Sequence, residues 1–254
     1  MKENKISTLA GVYAIWWREL KVFYREKPRL VSVLVGPIIW LVIFGAGLSR
    51  SVIIEGADYQ KFIFPGVLVQ TFLFSSLFYG AYLVWDKKID VLKAVLVSPL
   101  GRSSIFIGKV LGGVTISIIE ALVILLFGYL IGMNYSFGVI INAISLVALS
   151  SAGLTAIGLT VGAFMESPEG FQLLSSLILF PLFFLSGALF PVTNLTGILA
   201  LLTIVNPLTY TVDLMRGTVV NIWQYDTTTD LVITLVFVIV ANIVGAKAFE
   251  NMKS

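Results

Sequence analysis

The sequence predicts an all-α integral membrane protein with six transmembrane helices, and three observations predict it. Apolar residues make up 58% of the 254 positions and charged residues only 12%, with a mean hydropathy of +0.98. A soluble domain of this length does not need so apolar a composition. Long apolar stretches recur along the chain, and about 20 residues rising 1.5 Å each cross a hydrocarbon core of about 30 Å. Finally, fourteen of the seventeen Lys and Arg residues fall on one side of those stretches. Positive charge resists translocation, so that side, carrying both termini, is expected in the cytoplasm.

The chain opens with a cytoplasmic segment, residues 1–29, that holds seven of the basic residues. Within Ser7–Lys27, Leu9, Tyr13, Trp16, Leu20 and Phe23 recur at helical spacing and form one stripe. Arg18, Glu19, Lys21, Arg25 and Glu26 lie largely off it, and Pro28 is expected to stop the helix. Basic residues beside Trp16 and Trp17 suit a helix lying flat at the inner membrane surface. This helix, with Trp16 and the polar-face residues Arg18, Glu19 and Arg25, is a candidate contact with a cytoplasmic partner; a plain membrane anchor is the alternative. No cleavable signal peptide is expected, because charges run through these positions and the first span can serve as an uncleaved signal.

The expected spans are Leu30–Ser49, Phe62–Trp85, Val110–Gly132, Phe137–Met165, Phe171–Phe190 and Leu231–Ala246. Each must be helical, since lipid offers no partner to free backbone groups. An even number keeps both termini on one side. The third and fourth form a hairpin through the outer turn Met133–Ser136. The whole chain, 1–254, reads as a single transmembrane domain.

Two further segments are more than connections. In the inner loop 86–109, charged residues interleave with Ile89, Val91, Leu92, Val95 and Leu96. A short amphipathic helix is expected there, its apolar row buried against a partner or against the protein's own helices. Ser98-Pro99 then reads as the N-cap and first residue of a new helix. In the outer segment 191–230, Ile198–Val205 is too short to cross and suits a re-entrant or interfacial helix. Asn206-Pro207 reads as the start of a second short helix, running to about Arg216 and stopped by Gly217.

Some chemistry is excluded. Zero cysteines remove disulfides and thiolate metal sites, and zero histidines remove the commonest general base and metal ligand. A net charge of +3 gives no reason to expect nucleic acid, because the positional bias accounts for the basic residues. A P-loop is absent: the only Gly-Lys pair, Gly108-Lys109, has Ser103 where the first glycine should stand and Val110 in place of the magnesium ligand. No catalytic, metal or cofactor site is expected in this chain. Glu120 is the one ionisable residue deep in a span, a functional candidate by default, with Ser150, Ser151 and Thr155 of the next span able to satisfy a neutral carboxyl.

The motifs resemble a known family. Ser98-Pro99-Leu100-Gly101-Arg102 with Gly108-Lys109-Val110, the run Phe180–Pro191, and Asn206-Pro207-Leu208-Thr209-Tyr210 followed by Asp213-Leu214-Met215-Arg216-Gly217 are similar to elements of the type-2 ABC exporter permeases (ABC-2 family). The likeness is nearest to the branch of daunorubicin-type drug efflux permeases and nodulation-factor exporters. It implies a multi-pass protein of the prokaryotic cytoplasmic (inner) membrane that pairs with a second copy or a paralogue. It also implies two ABC ATPase subunits on the cytoplasmic side, which bind the ATP and magnesium. The ATPase-coupling surface would comprise Asp90, Val91, Leu92, Lys93, Val95, Leu96, Ser98 and Pro99, the inner turn Glu166, Ser167, Pro168 and Glu169, and the N-terminal helix. The substrate path would run along the first, second and fifth spans, with Trp40, Phe44, Phe72, Phe180, Phe183 and Phe184 as candidate lining.

The function expected is therefore the membrane subunit of an ATP-driven exporter, moving a drug-like hydrophobic or amphipathic compound by alternating access. A polysaccharide, lipid or glycolipid cargo is the alternative. A secondary transporter would call for more intramembrane charge than Glu120 alone, and no paired intramembrane carboxylates suggest an enzyme.

Overall fold

A computed structural model describes residues 8–47, 53–54, 57–193 and 195–252, so Ser7 and Ser49, at the edges of two expected elements, lie outside the described residues. The architecture is helical apart from one two-residue hairpin. The helices are α1 (Thr8–Arg25), α2 (Lys27–Ile39), α3 (Tyr59–Phe78), α4 (Gly80–Lys88), α5 (Val91–Val97), α6 (Arg102–Leu130), α7 (Phe137–Phe164), α8 (Pro168–Phe184), α9 (Ile198–Val205), α10 (Pro207–Val220) and α11 (Thr227–Glu250). The hairpin strands β1 (Ile53–Ile54) and β2 (Ala57–Asp58) pair Ile53 with Asp58 and Ile54 with Ala57.

Among the described residues four helical stretches are long and apolar enough to cross a membrane: Tyr59–Lys88, Arg102–Leu130, Phe137–Phe164 and Thr227–Glu250. The pair α9 and α10, bent by 74°, is a fifth candidate if counted as one broken span. The expected first and fifth spans are shorter than the sequence suggests, for identifiable reasons. Pro37 lies inside α2, where it has no N–H to donate, and the helix continues as a π-helical stretch, Trp40–Ala46. Only Leu34–Gly45 of that region counts as an apolar helix. α8 ends at Phe184, not Phe190: Pro181 interrupts its ladder, and Gly187 adopts φ +78, which a continuing helix cannot accommodate.

Other boundaries moved too. Pro28 does not merely stop α1; it occupies the first turn of α2, where a missing N–H costs nothing. Ser98 closes α5 instead of opening α6, its hydroxyl donating to the Val95 carbonyl at 2.5 Å, and α6 begins after Gly101. Asn206 caps α10 as expected, accepting from the Leu208 N–H at 3.0 Å. Gly217 does not stop that helix: it lies under the Trp223 ring, and the stop is Asn221 in the left-handed conformation at φ 58. The last span is longer than Leu231–Ala246 at both ends, since Asp226 caps α11 by accepting from Thr228 and Thr229.

Packing centres on α3, nine-tenths of whose most apolar window is buried among α2, α6, α7, α8 and α10. Two small-residue crossings bring backbones together. A Cβ on Gly158 of α7 would collide with the Leu77 carbonyl, and one on Gly80 with the Gly158 carbonyl. On α6, Gly108 and Gly112 receive α1: a Cβ at Gly108 would sit 2.7 Å from Ile15 Cβ, and one at Gly112 2.8 Å from Glu19 Cβ. Small residues four apart allow such approach in membrane helices, where association depends on packing. The face of α1 that packs is thus Gly11, Ile15 and Glu19. The stripe expected from the sequence divides, with Leu9 and Tyr13 exposed while Trp16 reaches Thr115 of α6 and Phe23 packs on the core that holds Ile15.

Candidate functional site

A groove with about 980 Å³ of space runs between α1–α2, the α3–α4 helix and α8. Its α3–α4 wall is one helical stripe: Gln70, Thr71, Phe74, Ser75, Phe78, Ala81, Tyr82, Trp85 and Asp86, at steps of one, three and four. The depth of the groove is aromatic. Phe74 meets Phe183 edge-on at 6.1 Å and Phe180 at 6.4 Å between ring centroids, and Phe180 stacks on Phe184 at 6.2 Å. From the opposite wall come Pro37 and Trp40, the latter stacked on Phe44 at 4.3 Å. Arg18, Glu26, Tyr82 and Asp86 line one end. An apolar channel with a charged end fits an amphiphile.

The lining residues expected from the sequence divide. Trp40, Phe180, Phe183 and Phe184 line the groove, while Phe44 touches it only through Trp40. Phe72 does not line it. Its side chain is fully buried in the core on another side of α3, because at 100° per residue position 72 falls outside the arc that holds 71, 74, 75 and 78. Glu120 does not line the groove either; it is fully buried on α6, one turn from Ser117, whose hydroxyl pairs with Ser76 of α3 at 2.9 Å. Ser150, Ser151 and Thr155 of α7 are equally buried.

At the charged end lies an ion cluster that sequence reasoning missed. Lys109 Nζ donates to Glu19 Oε1 at 2.9 Å and to Asp86 Oδ2 at 2.8 Å. Arg18 reaches Asp86 at 3.0 Å and Glu19 at 2.8 Å, and the Tyr79 hydroxyl donates to Glu19 Oε2 at 2.7 Å. Burial works against the Arg18 charge, but the bond to Asp86 and the field of both carboxylates outweigh it and raise its pKa. Alongside, Tyr82 donates to Glu26 at 2.7 Å and the Trp16 indole to Thr115 of α6 at 3.0 Å. Of the N-terminal helix residues proposed for an outside partner, Trp16, Arg18 and Glu19 are thus engaged within the chain, whereas Arg25 is exposed. Gly108 and Gly112 flanking Lys109 were the available signal, since small residues at that spacing announce a packed helix over the lysine.

The expected coupling segment is also partly turned inward. Leu92 is buried, with Val95 and Leu96 packed in the same core as Ile15 and Phe249. Val91 and Ile89 line the groove. Asp90 takes the left-handed conformation at φ 58 and pairs with Lys93 at 2.8 Å, both well exposed. Pro99 is exposed. Lys87 is not a free surface charge: its ammonium donates to the carbonyls of Gly162, Ala163 and Met165 at the end of α7, at 2.9, 2.6 and 3.3 Å. The turn Glu166–Glu169 is solvent-facing, Ser167 capping α8 by accepting from the Gly170 N–H at 3.0 Å.

Comparison with known proteins covers these elements. The family described as "ABC-2 type transporter" matches residues 10–220. The chain is 27% identical to a putative transport permease, ycf38, of Cyanophora paradoxa, over 85% of this chain and 77% of that protein. It is 25% identical to nodulation protein J of Rhizobium leguminosarum bv. viciae, over 82% of each chain. Against the daunorubicin resistance ABC transporter permease protein DrrB1 of Streptomyces coeruleorubidus identity is 22%, over 80% of this chain and 74% of that one. The match runs from α1, through the helices that build the groove and the ion cluster, to the end of α10, and the chain belongs to the ABC-2 type transporter family of membrane permeases.

Proposed function

We propose that this chain is the export permease of an ATP-driven complex, moving drug-like hydrophobic or amphipathic compounds outward from the cytoplasm or inner leaflet. Two permeases, identical or paralogous, pair in the cytoplasmic membrane, and two ATPase subunits dock below them and supply ATP and magnesium binding. Leu34–Gly45 and α8 act as the first and fifth crossings, making six spans with both termini inside. Closure of the ATPases pushes on α5 and on the Glu166–Glu169 turn, and the groove passes from inward to outward access as a shift between two populations.

The observation that carries this reading is the groove itself: an aromatic channel of about 980 Å³ with a charged end, on a chain of this family. Its volume suits a drug-sized molecule. The likeness to a daunorubicin resistance permease supports a drug-like cargo. A lipid or glycolipid is the second reading, favoured by the hydrogen-bonding groups Gln70, Thr71 and Ser75 set among the rings.

The test is reconstitution. Co-expressed with an ABC ATPase encoded beside it, the chain should co-purify with that subunit and stimulate its hydrolysis in liposomes when a hydrophobic cargo such as daunorubicin is added. A chain that neither binds the ATPase nor changes its rate is not an export permease.

A further inference from the structure

Gln70 stands at mid-depth in the α3–α4 wall, about 16 Å along the helix from Tyr59 at its outer end. Its side chain is 7% exposed, and it lines the groove among Phe74, Phe180 and Phe183. Among the described residues no donor reaches its Oε1. The neighbouring Thr71 hydroxyl is already spent on the Val67 carbonyl of its own helix, at 2.9 Å. A buried amide oxygen without a donor is costly, and at membrane depth such a polar group marks a functional position by default.

We propose that Gln70 is a specificity-determining residue, selecting uncharged amphiphiles that carry a hydroxyl or amide N–H partway along an aromatic or aliphatic body. The inference rests on the export reading of the groove and deepens it. The rings supply apolar area and edge-on contacts that hold the body of the molecule. The amide oxygen supplies a directional requirement at that depth, and a molecule lacking a donor leaves Oε1 as it stands. A site built to meet a hydroxyl discriminates against the analogue without one more sharply than an apolar pocket discriminates by size. A hydroxyl meets the amide in either of its flipped orientations, since it both donates and accepts.

The probes are 1-pyrenebutanol and its methyl ether, which share a ring and chain and differ in the donor. The purified permease in nanodiscs is titrated with each, and binding is read as energy transfer from tryptophan to pyrene; Trp40 and Trp85 both line the groove. The wild type should prefer the alcohol by about fivefold, the factor one net hydrogen bond supplies. Gln70→Leu should erase the preference, and so should Gln70→Met, which keeps the side-chain length. Both substitutions remove a buried oxygen that has no donor, so both variants should still fold and insert, and comparison within one lipid cancels partitioning. A preference that survives both substitutions, or equal binding by the wild type, overturns the proposal. So does a change in self-association with an unchanged ratio, since the amide would then pair with a second copy. Loss of ATPase assembly alone would overturn the export reading and leave the binding ratio standing.

Discussion

Lys109 Nζ lies 2.8 Å from Asp86 Oδ2 and 2.9 Å from Glu19 Oε1 with only 1% of the lysine exposed, so three separate helices meet at one buried ammonium. Two cations and two carboxylates make the cluster neutral as a unit, which is what lets it leave water. It fixes the N-terminal helix to the C-terminal end of α4 and the N-terminal part of α6. Removing one partner leaves an uncompensated charge, at a cost of about 3–5 kcal/mol. Lys109→Met should therefore lower the melting temperature of the purified protein strongly, while Glu19→Gln added to Lys109→Met should recover at least half of the loss. A single variant that melts like the wild type would mean that the cluster does not hold α1.

The crossing of α4 with α7 makes a second demand. Gly80 faces the backbone of α7 and Gly158 that of the end of α3, each closely enough that a methyl group has no room, and backbone cannot swing aside as a side chain can. Gly158→Ala and Gly80→Ala should sharply reduce the yield of folded protein. Gly138→Ala, near the open start of α7 with nothing but Ser136 Oγ at 3.7 Å, should be neutral or gain a few tenths of a kcal/mol from helix propensity. Size-exclusion profiles from membranes of equal expression separate the two classes. Equal profiles for Gly138→Ala and Gly158→Ala would contradict the crossing.

Length and apolarity made the cores of α3, α6, α7 and α11 legible in the sequence, because lipid permits little but a helix of that length. Ile198–Val205 and the Asn206 cap were legible too, through the short apolar run and the Asn-Pro start. Helix ends were not. A caps-and-breakers reading placed a stop at Gly217 and a start at Ser98, but the first is a packing glycine and the second a C-terminal residue. Position alone cannot distinguish those uses. The groove was partly legible: the segments expected as spans one, two and five supply it, yet Phe72 and Phe74, two residues apart, fall on different sides of one helix. The ion cluster was illegible because Arg18, Glu19, Asp86 and Lys109 are far apart in the chain. The one-sided charge bias offered a sufficient reason for the basic pair, and the single hint of burial, the small residues Gly108 and Gly112 beside Lys109, named no partner.

Lys87, Lys88 and Lys93 look alike in sequence and should behave differently. Lys87 terminates α7 by donating to three carbonyls, a favourable place for a cation at a helix end. Lys87→Met should cost about 1–2 kcal/mol of stability. Lys88 lies over the Trp85 ring at 5.1 Å, and Lys93 pairs with Asp90 in solvent. Lys88→Glu and Lys93→Glu should leave the melting temperature unchanged and weaken co-purification with the ATPase. If all three variants lose stability equally, the loop carries no separate docking charges.

Within α5 the same division falls along the apolar row. Leu92 is 3% exposed and packs with Val95 and Leu96 against the protein's own core, whereas Val97, at the end of the helix, is 86% exposed, and Ile89 just before it 61%. An exposed valine is ordinary on its own. Here it stands on the short helix proposed above to receive the ATPase, two residues before the exposed Pro99. Leu92→Asp would bury a charge without a partner and should unfold the inner end of the molecule, seen as loss of monodisperse protein. Val97→Asp should leave folding and insertion intact and reduce ATPase assembly at least tenfold in a pull-down titration. Folding and docking would then be separable on a single helix five residues apart. If Val97→Asp assembles normally, the ATPase contacts lie in the Glu166–Glu169 turn and the polar face of α1, and α5 only transmits their movement.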